Sequence, residues 1–266
     1  MYPHHEQTIR NVTVHFEQDP KVQALILCGS IAHGLESADS DVDVLIVLSE
    51  EDYQAQIRAA SYTYRNEELA PYPGGYVDGK YTALSFIRQV AERGSEPARF
   101  AFDGAQVLFS RIQNLQDEVK RAAAYPVGEK MDRMKRFRAQ LAAWYWFTFE
   151  ARKRGNKYLL NAAASKLVLF GSRLLLAHNE VLYPFHKWVL AMLEKAPDKP
   201  EGVMDAIERV NNDPLAENLE VFFLMIKNFR NWDDSMRPDG WERWGTQFMM
   251  DVELTWMNGN MPVDDL

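Results

Sequence analysis

The chain has 266 residues, 47% of them hydrophobic and 26% charged, enough for one large core or two ordinary ones. Its formal net charge of -8 at pH 7 argues against tight, sequence-independent binding to a phosphate backbone, which disfavours a polymerase or a nucleic-acid scaffold. A single cysteine, Cys28, excludes an intramolecular disulfide framework and suits a reducing compartment. The opening MYPHHEQTIR lacks the charged-then-apolar layout of a signal peptide, and no stretch reads as the roughly 18 apolar residues of a membrane span. The expectation is a soluble cytoplasmic protein with no membrane partner.

In chain order, Ile9, Val12 and Phe16 recur at helical spacing over residues 5–19, and Pro20 stops that helix. Strands are predicted at 23–28 and 42–48, because Leu25–Cys28 and Val44–Leu48 are apolar runs suited to a sheet covered on both faces. Between them lie a tight Gly29-Ser30 turn, a short helical stretch and the polar loop ESADSDVD. Ser49 reads as the N-cap of a helix opened by SEEDY, with acidic residues in its first turn. The segment PYPGGYVDGKYTALSF gives Pro/Gly punctuation and then a strand at 76–84. SEPARFAF reads as a helix start with Ser95 as N-cap and Pro97 in the first turn, and AQVLFS as a short strand. From 112 onward the pattern is helical, at 112–124, 129–154, 157–178, 185–195, 202–211, 214–230 and 240–256, with turns at YPVG, RGN, APDKPEG and RPDG. The predicted class is α+β: an α/β domain with a mixed sheet over 1–115, then an all-α bundle over 116–266, with the change of texture falling within 111–128.

Asp41 and Asp43 stand at the mouth of the second strand. Alternate residues of a strand share a face, so the two carboxylates point the same way. They repel unless a cation, a proton or a basic side chain lies between them. Read plainly, ESADSDVD is also a sound polar turn, and a Gly-Ser turn or an Asp-x-Asp alone carries little.

Taken together, Gly29-Ser30, ten intervening residues and Asp41-Val42-Asp43 at the head of an apolar strand resemble the signature of the DNA polymerase β-like nucleotidyltransferase superfamily. The resemblance implies that Gly29 and Ser30 hold nucleotide phosphates and that Asp41 and Asp43 hold divalent metal ions. It also implies a third carboxylate on a neighbouring strand, a place that Asp78 in GGYVDGKYTAL occupies. Lys80 shares the face of Asp78 and is placed to neutralise it or touch a phosphate. The physics agrees: glycine lets backbone approach a phosphate, a helix N-terminus favours an anion, and hard carboxylate oxygens suit Mg²⁺. Two Mg²⁺ ions would stabilise the attacking and leaving oxygens of an in-line displacement, with an NTP, ATP first, as co-substrate. Asp78 is then a metal ligand or the general base.

Residues 112–266 are similar in texture and size to the helical C-terminal domains of the small-molecule branch, the aminoglycoside and lincosamide nucleotidyltransferases, including the kanamycin type. That implies acceptor binding in the helical domain. The expected activity is Mg²⁺-dependent transfer of a nucleoside monophosphate, AMP first, to a hydroxyl of a small molecule such as an aminoglycoside-like antibiotic, with release of pyrophosphate. The expected state is a monomer or homodimer without a stable nucleic-acid partner. Alternatives are an antitoxin-type transferase that modifies a protein side chain, a nucleotide-binding protein without turnover, and a ribonuclease. The last rests on Arg173 and His178, whose Arg-x4-His spacing resembles the motif of HEPN nucleases. Further candidates are Glu150 as a rival base, His33 beside the nucleotide, and Glu96, Arg99 or Lys187 facing a cleft. In KMDRMKRFRAQLAAWYWFTFEARKRGNK, basic ends flank Trp144, Tyr145, Trp146, Phe147 and Phe149, which suit a base or sugar, or more plainly a core face with solvated ends.

Overall fold

Val12 and Phe16, one turn apart on helix α1 (Pro3–Glu17), are buried against one face of a five-stranded sheet. The computed structural model describes residues 1–230, 232 and 241–253, and the chain divides into two units, Met1–Ala124 and Tyr125–Leu266. The sheet of the first unit comprises β1 (Val22–Cys28), β2 (Val42–Leu48), β3 (Thr63–Asn66), β4 (Val77–Ala83) and β5 (Gln106–Ser110), in the order β3-β4-β2-β1-β5. β2 and β4 are parallel and the other neighbours antiparallel, so the sheet is mixed, as the sequence implies. A parallel pair needs a long crossover, supplied here by α3 (Glu50–Arg58) and β3. The edge strands β3 and β5 are short, and β4 lies inside the sheet.

The two-residue period sorts the strand residues. Leu25, Leu27, Val42, Val44 and Ile46 share a core with α1, whereas Ala24, Ile26, Leu45 and Val47 share one with Ile87, Val90, Leu115 and Val119. The latter four belong to α4 (Leu84–Arg93) and α6 (Leu115–Ala123). Each such valine, leucine or isoleucine, fully buried, contributes about 1.5–3 kcal/mol. α6 is buried on the sheet, and the first unit runs to Ala124, within the 111–128 zone where the sequence changes texture. Two short helices complete the unit, α2 (Gly29–Ala32) and α5 (Glu96–Phe100). The Ser49 and Ser95 hydroxyls accept from Asp52 N at 3.1 Å and Ala98 N at 3.4 Å, capping α3 and α5.

In the second unit, α7 (Lys130–Lys153) and α8 (Lys157–His178) form an antiparallel pair, followed by α9 (Val189–Lys195), α10 (Val203–Asn212), α11 (Ala216–Asn228) and α12 (Trp241–Phe248), which runs into a π turn, Met249–Glu253. Gly155, at φ +61°, turns the chain between α7 and α8, and Asn156 Oδ1 accepts from Leu159 N at 3.0 Å to start α8. The helix expected from 185 begins only at Val189, after a Pro184-Phe185 corner with Phe185 at φ +68°. Contrary to expectation, one helix among the described residues, α8, is long and apolar enough to cross a membrane, yet 67% of its apolar window is buried inside the structure. A helix that is apolar all round is buried on all sides, and α8 is the core of this bundle. Of the helix predicted at 240–256, residues 240 and 254–256 lie outside the described residues, as does the RPDG turn.

Candidate active site

Strand register builds the site. Asp43 on β2 pairs with Cys28 on β1 and with Asp78 on β4, and Asp78 pairs with Arg65 on β3. Cross-strand partners share a face, so these four residues form one row, at the polar end of the face that carries Ala24, Ile26, Leu45 and Val47. Asp41, one residue before β2, falls on the same face by alternation. A carboxylate oxygen from each of Asp41, Asp43 and Asp78 lies within 4.8 Å of the others, and all three side chains are half-buried. Three anionic oxygens this close raise one another's free energy, and a hard divalent cation relieves that. The donor set therefore fits Mg²⁺ by the chemistry of its oxygens.

Gly29 lies against the same group. Its φ is +68°, and a Cβ there would stand 2.6 Å from Asp43 Cβ and overlap the Asp43 carboxylate. Backbone conformation and close approach both require glycine at this position. Ser30 is buried in the single turn of α2, which closes through Leu35 N to Ser30 O at 2.9 Å. With only four residues, α2 offers a phosphate its local N–H groups and the Ser30 hydroxyl, and little helix dipole.

Lys80, two residues along β4 from Asp78, places its Nζ 3.1 Å from Asp78 Oδ2. Burial favours the neutral amine, but the Asp78 and Asp43 carboxylates outweigh it and hold the Lys80 pKa above its ordinary value. The Cys28 thiol is pushed up by burial and then by Asp43.

Two residues missed by sequence reasoning adjoin the carboxylates. The Asp41 carboxylate raises the Tyr76 phenol pKa, while Arg65 opposes that shift. The Arg65 guanidinium carbon lies 3.6 Å from the centre of the Tyr76 ring. The loop leading to Asp41 is pinned by Tyr72, whose hydroxyl donates to Ser40 O at 2.7 Å, and by His4, whose Nε2 lies 2.9 Å from Ala38 O.

The remaining candidates have structural surroundings. His33 stacks on Phe100 with ring centres 4.1 Å apart. Arg99 is buried and donates to the carbonyls of Gly94, Ala91 and Ala124, and Glu96 is buried in the same helix. Glu150 pairs with Arg154 at 3.3 Å, and Lys187 Nζ lies 4.8 Å from the Trp188 ring. The aromatic run divides: Tyr145 stacks on Phe223 at 4.0 Å and Trp144 packs on the bundle core, while Trp146 and Phe149 are 40% and 47% exposed. Arg173, 1% exposed, lies between the rings of Phe137 and Tyr183, and His178 Nε2 is 2.6 Å from Asp198 Oδ2. An arginine enclosed in the core is not presented to RNA.

Residues 9–96 match the family model of the nucleotidyltransferase domain. The chain carries a nucleotidyltransferase domain. The match contains Gly29, Ser30, Asp41, Asp43, Asp78 and Lys80. Among solved structures, the chain is similar to a nucleotidyltransferase-like protein from Exiguobacterium sibiricum 255-15, with 12% identity over 96% of this chain and 91% of that one and a TM-score of 0.47. No curated protein matches the chain. Neither likeness names an acceptor for the nucleotidyltransferase domain.

Proposed function

We propose that the protein transfers a nucleoside monophosphate from an NTP, ATP first, to a hydroxyl of a small molecule and releases pyrophosphate. The observation that carries this reading is the convergence of Asp41, Asp43 and Asp78 within 4.8 Å, beside a glycine whose backbone abuts Asp43. In the reaction the acceptor oxygen bonds to the α-phosphorus, the bond from that phosphorus to the β-phosphate oxygen breaks, and the hydroxyl proton leaves. Bound Mg²⁺, as one or two ions, supplies charge neutralisation of the triphosphate and of the entering and leaving oxygens. Asp41 and Asp43 hold it from one strand face, and Asp78 either joins them or accepts the hydroxyl proton. Gly29 lets the backbone abut the Asp43 carboxylate, and Ser30 donates to a phosphate oxygen. Lys80, kept protonated by its acidic neighbours, offsets charge as pyrophosphate forms. The helical unit is the acceptor-binding part in this reading, and the protein works in the cytoplasm as a monomer or homodimer.

The test is incubation of the protein with each of the four NTPs, Mg²⁺ and a panel of aminoglycosides, lincosamides and other polyhydroxyl compounds. Pyrophosphate release and a nucleotide-sized mass increase on one panel member, both abolished by EDTA, are expected. Mass increase on a protein, with none on any small molecule, would move the acceptor to a polypeptide. Metal-independent RNA cleavage without pyrophosphate release would overturn the reading altogether.

A further inference from the structure

We propose that Tyr72 is a positioning residue for Asp41, acting through the Ser40–Asp41 peptide. The inference rests on the reading of Asp41 as a metal ligand. Asp41 precedes the first residue of β2, so strand pairing does not fix it as it fixes Asp43. Its two flanking peptides are tied separately. On one side, Val42 N donates to Tyr76 O at 3.1 Å. On the other, the Tyr72 hydroxyl donates to Ser40 O at 2.7 Å. A peptide unit is planar, so holding the Ser40 carbonyl also sets the plane of the Asp41 N–H. The two ties together set the direction of the Asp41 Cα–Cβ bond. That direction decides whether the carboxylate meets Asp43 and Asp78 within 4.8 Å.

Packing aims the phenol. Tyr72 lies in the connection from β3 to β4, which Asn11 on α1 holds by donating from Nδ2 to Leu69 O at 2.9 Å. The His4 ring centre lies 4.4 Å from that of Tyr72, and the fully buried His5 ring lies at 5.5 Å. Gly75 is packed on the Tyr72 ring, for a Cβ there would stand 2.4 Å from Tyr72 Cζ. Residues 37–40 form a turn closed within itself, by Ser40 N to Ser37 O at 3.1 Å and Ser37 N to Ser40 Oγ at 2.9 Å. Such a turn can move as a body, and its outward bonds to Tyr72 and His4 set where it stands. Outer groups that orient metal ligands change metal affinity or activity by about 10–100-fold when removed, and a tie through the backbone belongs at the lower end. Tyr72 touches neither nucleotide nor metal in this scheme and acts only through Asp41.

The experiment titrates the full chain with Mn²⁺, without nucleotide, and counts free Mn²⁺ by electron paramagnetic resonance. Tyr72→Phe keeps the ring and removes the hydroxyl. It should weaken Mn²⁺ binding about tenfold, with its urea midpoint close to wild type. Gly75→Ala, at a position without a positive φ, pushes the ring from its seat and should weaken binding by a smaller factor. Pyrophosphate release by Tyr72→Phe should recover as Mg²⁺ is raised, which a purely structural role would not produce. Wild-type Mn²⁺ affinity in Tyr72→Phe overturns the inference. If that variant does not fold by circular dichroism, unchanged affinity in Gly75→Ala overturns it instead. Asp43→Asn separates the two levels. Loss of Mn²⁺ binding there, with Tyr72→Phe unaffected, removes only the role of Tyr72, whereas wild-type binding in Asp43→Asn removes the metal centre and the transferase reading with it.

Discussion

The two units handle charge in opposite ways. In the first, Asp41, Asp43 and Asp78 crowd within 4.8 Å, and Lys80 bonds directly to Asp78. In the second, Asp198 is met by His178 at 2.6 Å and also by Arg230, and the buried cation of Arg173 lies between two aromatic faces. The helical unit thus matches the Asp198 carboxylate with cations of its own. The acidic row gathers three carboxylates beside Lys80, a donor set whose mutual repulsion a hard divalent cation would relieve. A site that is unfavourable alone and favourable with a cation points to binding, whereas an internally matched cluster points to packing.

The largest expected effect breaks the comparison on its acidic side. Asp43→Asn should lower pyrophosphate release by at least about a thousandfold, equivalent to about 4 kcal/mol of transition-state stabilisation. Its urea stability should not fall, since the change removes one of three like charges. Turnover near wild type in that variant would show that the acidic row is not the reaction centre. Next comes the matched side. Arg173→Ala should cost about 3 kcal/mol of stability, because it empties volume in the bundle core and strips two aromatic faces of their cation. Pyrophosphate release per folded molecule should stay as in wild type, and a proportional loss of rate with intact folding would give Arg173 a place in the chemistry.

A smaller effect tests how closely the backbone serves the acidic row. Gly29→Ala places a side chain at φ +68° and against Asp43, so about 2 kcal/mol of stability should be lost. The rate should fall more than the folded fraction does, because the substitution displaces a carboxylate. A variant with wild-type urea midpoint and wild-type rate would mean that the turn is free to relax away from Asp43.

These residues also show what a single sequence can reveal. The shared face of Asp41 and Asp43 follows from the two-residue period, and Asp78 from its place in the next interior strand. Tyr76 and Arg65 were out of reach, because their closeness to Asp41 depends on how β2, β3 and β4 align. Register is a property of paired strands and of the turns that join them. β3 has four residues with two of them exposed, too little pattern to separate from a loop. The amphipathic pattern of α6 marks a face to bury but not the core that takes it. The all-round burial of α8 was legible only as apolarity, which a membrane span would share.

The smallest effect concerns pH, and it sharpens the matched side. His178, and then Arg230, hold the Asp198 carboxyl below its ordinary value of 3.8. A carboxyl whose folded pKa is depressed releases its proton more readily when folded than when unfolded. Between the folded pKa and the ordinary value the unfolded chain binds more protons, so stability there rises with pH. The contribution of Asp198 is therefore complete above about pH 5, declines as pH falls through the ordinary carboxylate range, and is gone below the folded pKa. The pair is largely open to solvent, so the effect is modest and weakens further with salt. Asp198→Asn should accordingly be less stable than wild type at pH 7, and the two urea midpoints should converge by pH 3. Salt at pH 7 should narrow the gap in the same direction. A gap that persists unchanged at pH 3 would assign the role of Asp198 to its neutral hydrogen bonds. The bonds between the Asn179 side chain and the Asp198 backbone, which the substitution keeps, hold the end of α8 in both proteins.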